Sequence, residues 1–109
     1  MIARNWHGRV PSEKTEAYHQ YLLKTGLKEY ASIKGNRGTL LFKRNSEDGI
    51  THFDTLTFWD NIEAIKRFTG EDYEKAKYYP EDKGFLLEFE ELVTHYKIVR
   101  AQIRPDNKF

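Results

Sequence analysis

Asn5 and His7 stand two residues apart in a stretch of short, aromatic and β-compatible residues, so in an extended backbone both leave one face while Arg4 and Trp6 leave the other. An imidazole titrating near neutrality is a natural general base, and a carboxamide can donate to a developing oxyanion. The pair is the catalytic candidate. The competing reading is a half-buried strand histidine whose hydrogen bonds are satisfied and which has no catalytic duty. His52 and Asp54 repeat the spacing on a later run, and His95 lies near the end of the chain. Imidazoles on adjacent strands are potential metal ligands, but their spacing matches no ligand signature, so no metal is expected. The chain has no cysteine, which excludes disulfides, thiolate nucleophiles and cysteine-held metals.

Around these polar groups the sequence supplies large flat rings. Aromatic residues make up 15% of the chain, enough both to fill a core and to line a pocket. Trp59 closes a β-rich run just before Asp60, where it either caps a cavity or belongs to the core. Tyr73, Tyr78 and Tyr79 precede Pro80 and suit a lid that stacks on a flat molecule. His52, Trp59, Phe68, Tyr78 and Tyr79 are the expected substrate contacts.

The elements that must position these residues follow from periodicity. Ile2 to Val10 predicts a first strand ending at Pro11, which cannot donate into a ladder. Ser12 is placed to cap a helix carrying Tyr18, Tyr21 and Leu22 to about Gly26, and Leu27, Tyr30 and Ile33 predict a further helical turn or two. Thr39 to Arg44 and Ile50 to Trp59 flank Asn45-Ser46-Glu47-Asp48-Gly49, a hairpin pattern. Asp60 with Glu63 has capping-box spacing before Ile62, Ile65 and Phe68, and that helix stops at Gly70. A second helix is predicted from Glu71 to Pro80, a short helical segment over Phe85, Leu86, Phe89 and Leu92, and a last strand over Val93 to Val99. Residues 1–99 form one domain and 100–109 an exposed tail.

Strand, helix, strand, strand, helix, strand is the order of the ferredoxin-like split β-α-β motif, an α+β fold with a four-stranded antiparallel sheet and its helices on one face. Both faces of the hairpin strands carry large apolar groups: Leu40 and Phe42 oppose Leu41, while Phe53 and Trp59 oppose Leu56 and Phe58. One helix layer covers one face. The other predicts a homodimer, with a monomer carrying ordinary exposed apolar residues as the alternative.

The 18 basic and 17 acidic residues nearly cancel and are mixed along the chain, which argues against nucleic acid as a partner. No membrane-length apolar run and no basic-plus-apolar leader are present, so a cytoplasmic protein without membrane association is expected.

The runs Arg4-Asn5-Trp6-His7-Gly8, Leu56-Thr57-Phe58-Trp59-Asp60, Glu63-Ala64-Ile65-Lys66-Arg67-Phe68 with Gly70-Glu71-Asp72, and His95-Tyr96 together resemble the antibiotic biosynthesis monooxygenase domain family over residues 2–99. The resemblance implies a dimeric α/β barrel with a small-molecule pocket between the sheet and helices of each subunit. It also implies a cofactor-independent monooxygenase or related oxidoreductase acting on a small aromatic or quinone-like molecule. The haem-degrading branch of the family pairs an Asn on the first strand with a Trp on the second helix and a ligating His just after. Asn5 matches, but Phe68 takes the Trp position and no His lies between His52 and His95. No cofactor is therefore expected. The alternative is a non-catalytic, small-molecule-binding or stress-associated barrel of the same shape.

Overall fold

The computed structural model describes residues 1–103. Its strands are β1 (Ile2–Pro11), β2 (Asn36–Asn45), β3 (Ile50–Trp59) and β4 (Thr94–Lys97). Its helices are α1 (Thr15–Lys24), α2 (Gly26–Ser32) and α3 (Ile62–Thr69), with 3-10 turns at Ser12–Lys14 and Pro80–Gly84. The sheet is antiparallel throughout, in the order β2-β3-β1-β4. This is the ferredoxin-like arrangement, with the first crossover helix broken in two at Thr25.

Alternation sorts each strand into two faces. On β3 the residues Thr51, Phe53, Thr55, Thr57 and Trp59 are buried against the helices, as are Arg4, Trp6, Gly8 and Val10 on β1. Two clusters result. One joins Trp6, Val10, Tyr18, Leu22, Phe53 and Leu86; the other joins Tyr30, Trp59, Ala64, Ile65 and Phe68. Each large apolar side chain withdrawn from water contributes about 1.5–3 kcal/mol. The buried threonines satisfy their hydroxyls locally: Thr57 Oγ1 donates to the Arg4 carbonyl at 3.2 Å and accepts the Trp59 indole N–H at 2.8 Å.

The hairpin forms as the turn residues predict. Ser46 N–H donates to the Ile50 carbonyl at 2.9 Å, and Gly49 takes the positive φ of 76° that a side chain would resist. Two caps differ from expectation. Ser12 makes no helix cap; its hydroxyl lies 3.1 Å from Thr51 Oγ1 instead. Asn61, not Asp60, caps α3: its Oδ1 accepts from Ala64 N–H at 2.9 Å, while Asp60 holds Arg37 at 2.6 Å.

The segment from Glu71 to Leu92 departs furthest from the sequence reading. Neither the helix over 71–80 nor the helical segment over 85–92 forms. Buried Arg4 takes the Lys75 carbonyl at 3.0 Å, Ala76 N–H goes to Glu91 and Val93 N–H to Glu74 at 2.9 Å each, and Leu87 N–H goes to Arg9 at 2.9 Å. Backbone groups that a helix would pair internally are thus used across the chain. Pro80 adds its own constraint, holding Tyr79 extended at ψ 153°. β4 is accordingly shorter than the predicted run, pairing only with Ile2–Asn5 of β1. Of the expected tail, residues 101–103 are exposed and without regular structure, and 104–109 lie outside the described residues.

Candidate functional site

The face of the sheet away from the helices carries both chemistry and open apolar surface. The β1–β3 register sets His7 opposite Asp54 and Arg9 opposite His52, so Asn5, His7, Arg9, His52 and Asp54 form one polar field. Further along the same strands lie Ala3, Leu56 and Phe58, flanked by Leu40 on β2 and Tyr96 on β4. Leu41 turns inward to the helix-side core. Ala3, Leu56, Phe58 and Tyr96, with the chain from Lys97 at the end of β4 to Ile103, line a groove of about 680 Å³.

Within the polar field His7 is the centre of a hydrogen-bonded chain. Its Nδ1 meets the Glu90 carboxylate, and its Nε2 lies 2.9 Å from His52 Nδ1, the two rings stacking with centroids 5.2 Å apart. An ionised Glu90 accepts the His7 Nδ1–H, which leaves His7 Nε2 as the acceptor for His52 Nδ1–H. His52 Nε2 is then the unprotonated nitrogen at the outer end of the chain. Burial first, then the nearby charges of Arg44, His7 and Arg9, hold the His52 pKa below its ordinary value. Asn5 stands beside the chain and donates to Asp54 at 3.2 Å, so Asp54 orients Asn5 and makes no hydrogen bond to His7, its cross-strand partner. Glu90 is placed by its own loop: the Tyr78 hydroxyl donates to the Glu90 carbonyl at 2.5 Å.

The sequence-derived site residues therefore divide. Asn5, His7 and His52 come together on the open face. Trp59 and Phe68 lie on the other side of the sheet, buried and stacked on each other with centroids 6.1 Å apart. Tyr79 is also on that side, its hydroxyl donating to the Glu29 carboxylate; Lys77 holds the same carboxylate at 2.9 Å. Burial acts to raise the Glu29 pKa, but those two hydrogen bonds outweigh it and the net displacement is downward. Tyr78 packs against the helix-side cluster, its ring edge-on to Trp6 at 6.4 Å and to Phe89 at 4.9 Å.

Around Trp6 the space between sheet and helices, where the resemblance sets a pocket, is filled, while a hollow of about 130 Å³ remains among His19, Leu41, Lys43 and Phe53. The hollow among Trp6, Tyr18, Leu22, Tyr30 and Tyr79 measures about 10 Å³. Trp6 is responsible. Its indole lies across Gly8, where a Cβ would stand 2.5 Å from the ring, and so occupies the centre of the layer. His7 and Asn5 cannot share a cavity with Trp59 and Phe68, because the sheet itself separates them. Glu90, the third member of the chain, carries no sequence signal, since it is one of several glutamates in a stretch that reads as an amphipathic helix.

Among the described residues no group of three or more His, Cys, Asp or Glu side chains is placed to hold a metal ion, and no helix is long and apolar enough to cross a membrane.

No protein-family model matches the chain, and no curated protein matches it. Solved structures do. The crystal structure of a Bacillus cereus protein, whose own assignment as an antibiotic biosynthesis monooxygenase is provisional, is similar with a TM-score of 0.62 at 13% identity, covering 93% of this chain and 97% of that one. The chain shares the ferredoxin-like fold of that structure. At that identity the likeness fixes the path of the chain and leaves its chemistry to the residues.

Proposed function

We propose that this chain is a cofactor-independent oxidoreductase that deprotonates a small, electron-rich aromatic or quinone-like molecule on the open face of its sheet, inside a chamber completed by a second copy. The Glu90–His7–His52 chain carries the reading. A substrate hydroxyl or activated C–H gives its proton to His52 Nε2, His52 passes its Nδ1 proton to His7 Nε2, and Glu90 stabilises the cation that forms on His7. The resulting carbanion transfers an electron to dioxygen, and the two radicals combine to a peroxide. Loss of water then leaves one oxygen atom as a new carbonyl, while the second departs with two substrate hydrogens. Asn5 is the neutral donor beside the developing oxyanion.

A dry chamber is needed for such a carbanion, and the homodimer supplies it. Phe42 and Tyr96 stand about half exposed on the open face, beside Leu40, Leu56 and Phe58. Two such faces packed about a two-fold axis bury the apolar ends and enclose the histidines. The fold shared with the Bacillus cereus structure supports this reading at the level of architecture only.

A second reading has its own support. The filled sheet–helix layer favours a non-catalytic barrel that binds a small molecule in the groove by the tail. Oxygen uptake with a panel of hydroquinones and anthrones separates the two. Turnover by the parent that falls by about 10²–10⁴-fold in His7→Ala establishes the enzyme. No turnover of any panel member by the parent removes it in favour of the binding protein.

A further inference from the structure

Arg4 is buried on the helix side of the sheet, at 2% exposure, and no carboxylate lies within ion-pair distance of it among the described residues. A guanidinium removed from water without a counter-charge is costly, and the fold offers only partial relief. One amino group donates to the Lys75 carbonyl at 3.0 Å, and the Phe68 ring lies 5.5 Å from Cζ. The Nε–H has no partner at all among the described residues. Directly opposite in the β1–β4 register stands His95, whose Nε2 is likewise buried and unpartnered, with the Tyr73 ring edge-on at 5.3 Å. Two unused polar nitrogens stand on neighbouring strands beside a guanidinium with no ion-pair partner among the described residues, and Glu74, the acid that acts on His95, pairs with neither of them.

The surroundings define what kind of anion suits them. A single guanidinium charge matches a monoanion; a dianion would leave the excess buried. Phe68 and Tyr73 border the two nitrogens with aromatic faces and edges, which suits a flat ring carrying the charge. Access runs through the segment from Glu71 to Tyr79, which has no helix or strand of its own and which closes over Arg4 through the Lys75 carbonyl. A hollow of about 330 Å³ is lined by Glu71, Asp72, Tyr73, Glu74 and Lys75 of that strap with Leu92, and reaches neither Arg4 nor His95. We infer that the strap covers a binding site for a flat aromatic monocarboxylate, the carboxylate held by Arg4 Nε and His95 Nε2 and the ring lying between Phe68 and Tyr73. The site lies across the sheet from the Glu90–His7–His52 chain and does not rest on the reading of that chain.

Benzoate is the probe, with benzamide as its neutral isostere and chloride at equal ionic strength as the control. In the full-length protein, benzoate at 100 times its dissociation constant should raise Tm by roughly 5 °C or more and move the Arg4 Nε–H and His95 ring resonances, while benzamide does neither. Arg4→Met should weaken benzoate at least ~100-fold, and His95→Phe, which keeps the ring and removes the nitrogens, about tenfold. Should Arg4→Met fail to fold, the resonances of the parent and the affinity of His95→Phe decide. Resonances that stay still with benzoate, equal binding of benzamide, or unchanged affinity in the foldable variants overturn the assignment.

Discussion

His7 and His52 meet on a diagonal of the β1–β3 ladder: each faces the other strand's polar neighbour, Asp54 and Arg9 respectively, yet their ring nitrogens approach to 2.9 Å. The diagonal leaves His7 Nδ1 free for Glu90, so one strand pair and one loop assemble a three-member proton path. Removing the outer member should therefore differ from removing the inner one. If the open face is catalytic, His52→Ala and His7→Ala each lower kcat by about 10²–10⁴-fold. Glu90→Gln keeps the shape but withdraws the carboxylate charge that faces His7 Nδ1, so it should lower kcat less than either alanine variant. Equal losses in KM and none in kcat would assign these residues to binding alone.

The second copy is tested by charge placed at the apolar end. Leu56→Lys or Phe58→Asp sets an ion on the face that the dimer would bury, where an unpaired charge costs several kcal/mol and outweighs the gain from the remaining contacts. Sedimentation should show the parent as a dimer and either variant as a monomer with unchanged secondary structure. A parent that sediments as a monomer removes the chamber.

Much of this fold is written in alternation. Thr51, Phe53, Thr55, Thr57 and Trp59 share one face, and His52, Asp54, Leu56 and Phe58 the other, so β3 declares which residues travel together. Alternation does not say which face meets the helices. Asn5 and His7 are legible as companions, but the set that meets the helices is Arg4 and Trp6, because Trp6 can fold over Gly8 and fill the layer. The stretch from 71 to 92 is illegible for another reason. Tyr73, Ala76 and Tyr79 have helical spacing, but Arg4, far back on the first strand, claims the Lys75 carbonyl, and other segments claim its neighbours. Local pattern cannot report a demand made from so far along the chain. Glu90 is hidden along with that segment.

Histidine titration predicts how stability depends on pH. Burial, then Arg4, lowers the His95 pKa from its ordinary 6.5, and burial, then Arg44, does the same for His52. The folded protein then binds fewer protons than the unfolded chain below about pH 6.5, so stability rises with pH through that window and is lost as pH falls below it. Asp82 works in the opposite sense, since burial raises its carboxyl pKa. Its contribution cancels when parent and His95→Phe are compared. Urea midpoints at about pH 7.5 and about pH 5.5 should fall less steeply in His95→Phe than in the parent. Identical slopes would place the dependence elsewhere.

The exchange of cap from Asp60 to Asn61 is open to a direct comparison. Asn61→Ala removes the acceptor of the Ala64 N–H and should destabilise by about 1 kcal/mol. Asp60→Ala removes only an exposed, solvent-screened pair with Arg37 and should cost less than Asn61→Ala. Denaturant melts of the two variants give the order, and the reverse order would restore Asp60 as the cap.

Gly8 governs whether the sheet–helix layer is full. A Cβ there would stand 2.5 Å from Trp6 Cη2 and 2.9 Å from Leu86 Cδ2, both closer than packed carbons approach. Trp6 and Leu86 belong to one cluster with Tyr18 and Phe53, so neither can retreat without displacing the next. Gly8→Ala should therefore destabilise by about 1–3 kcal/mol through overpacking, whereas Trp6→Ala removes the ring and should cost about 3–5 kcal/mol by leaving a cavity. Combining the two gives the sharper result. Once the indole is gone, the methyl group that Gly8→Ala introduces occupies part of the void, so the double variant should be more stable than Trp6→Ala alone, a coupling that chemical denaturation reads directly. Additive losses would mean that Trp6 does not lie across Gly8, and that the layer is filled by some other ring.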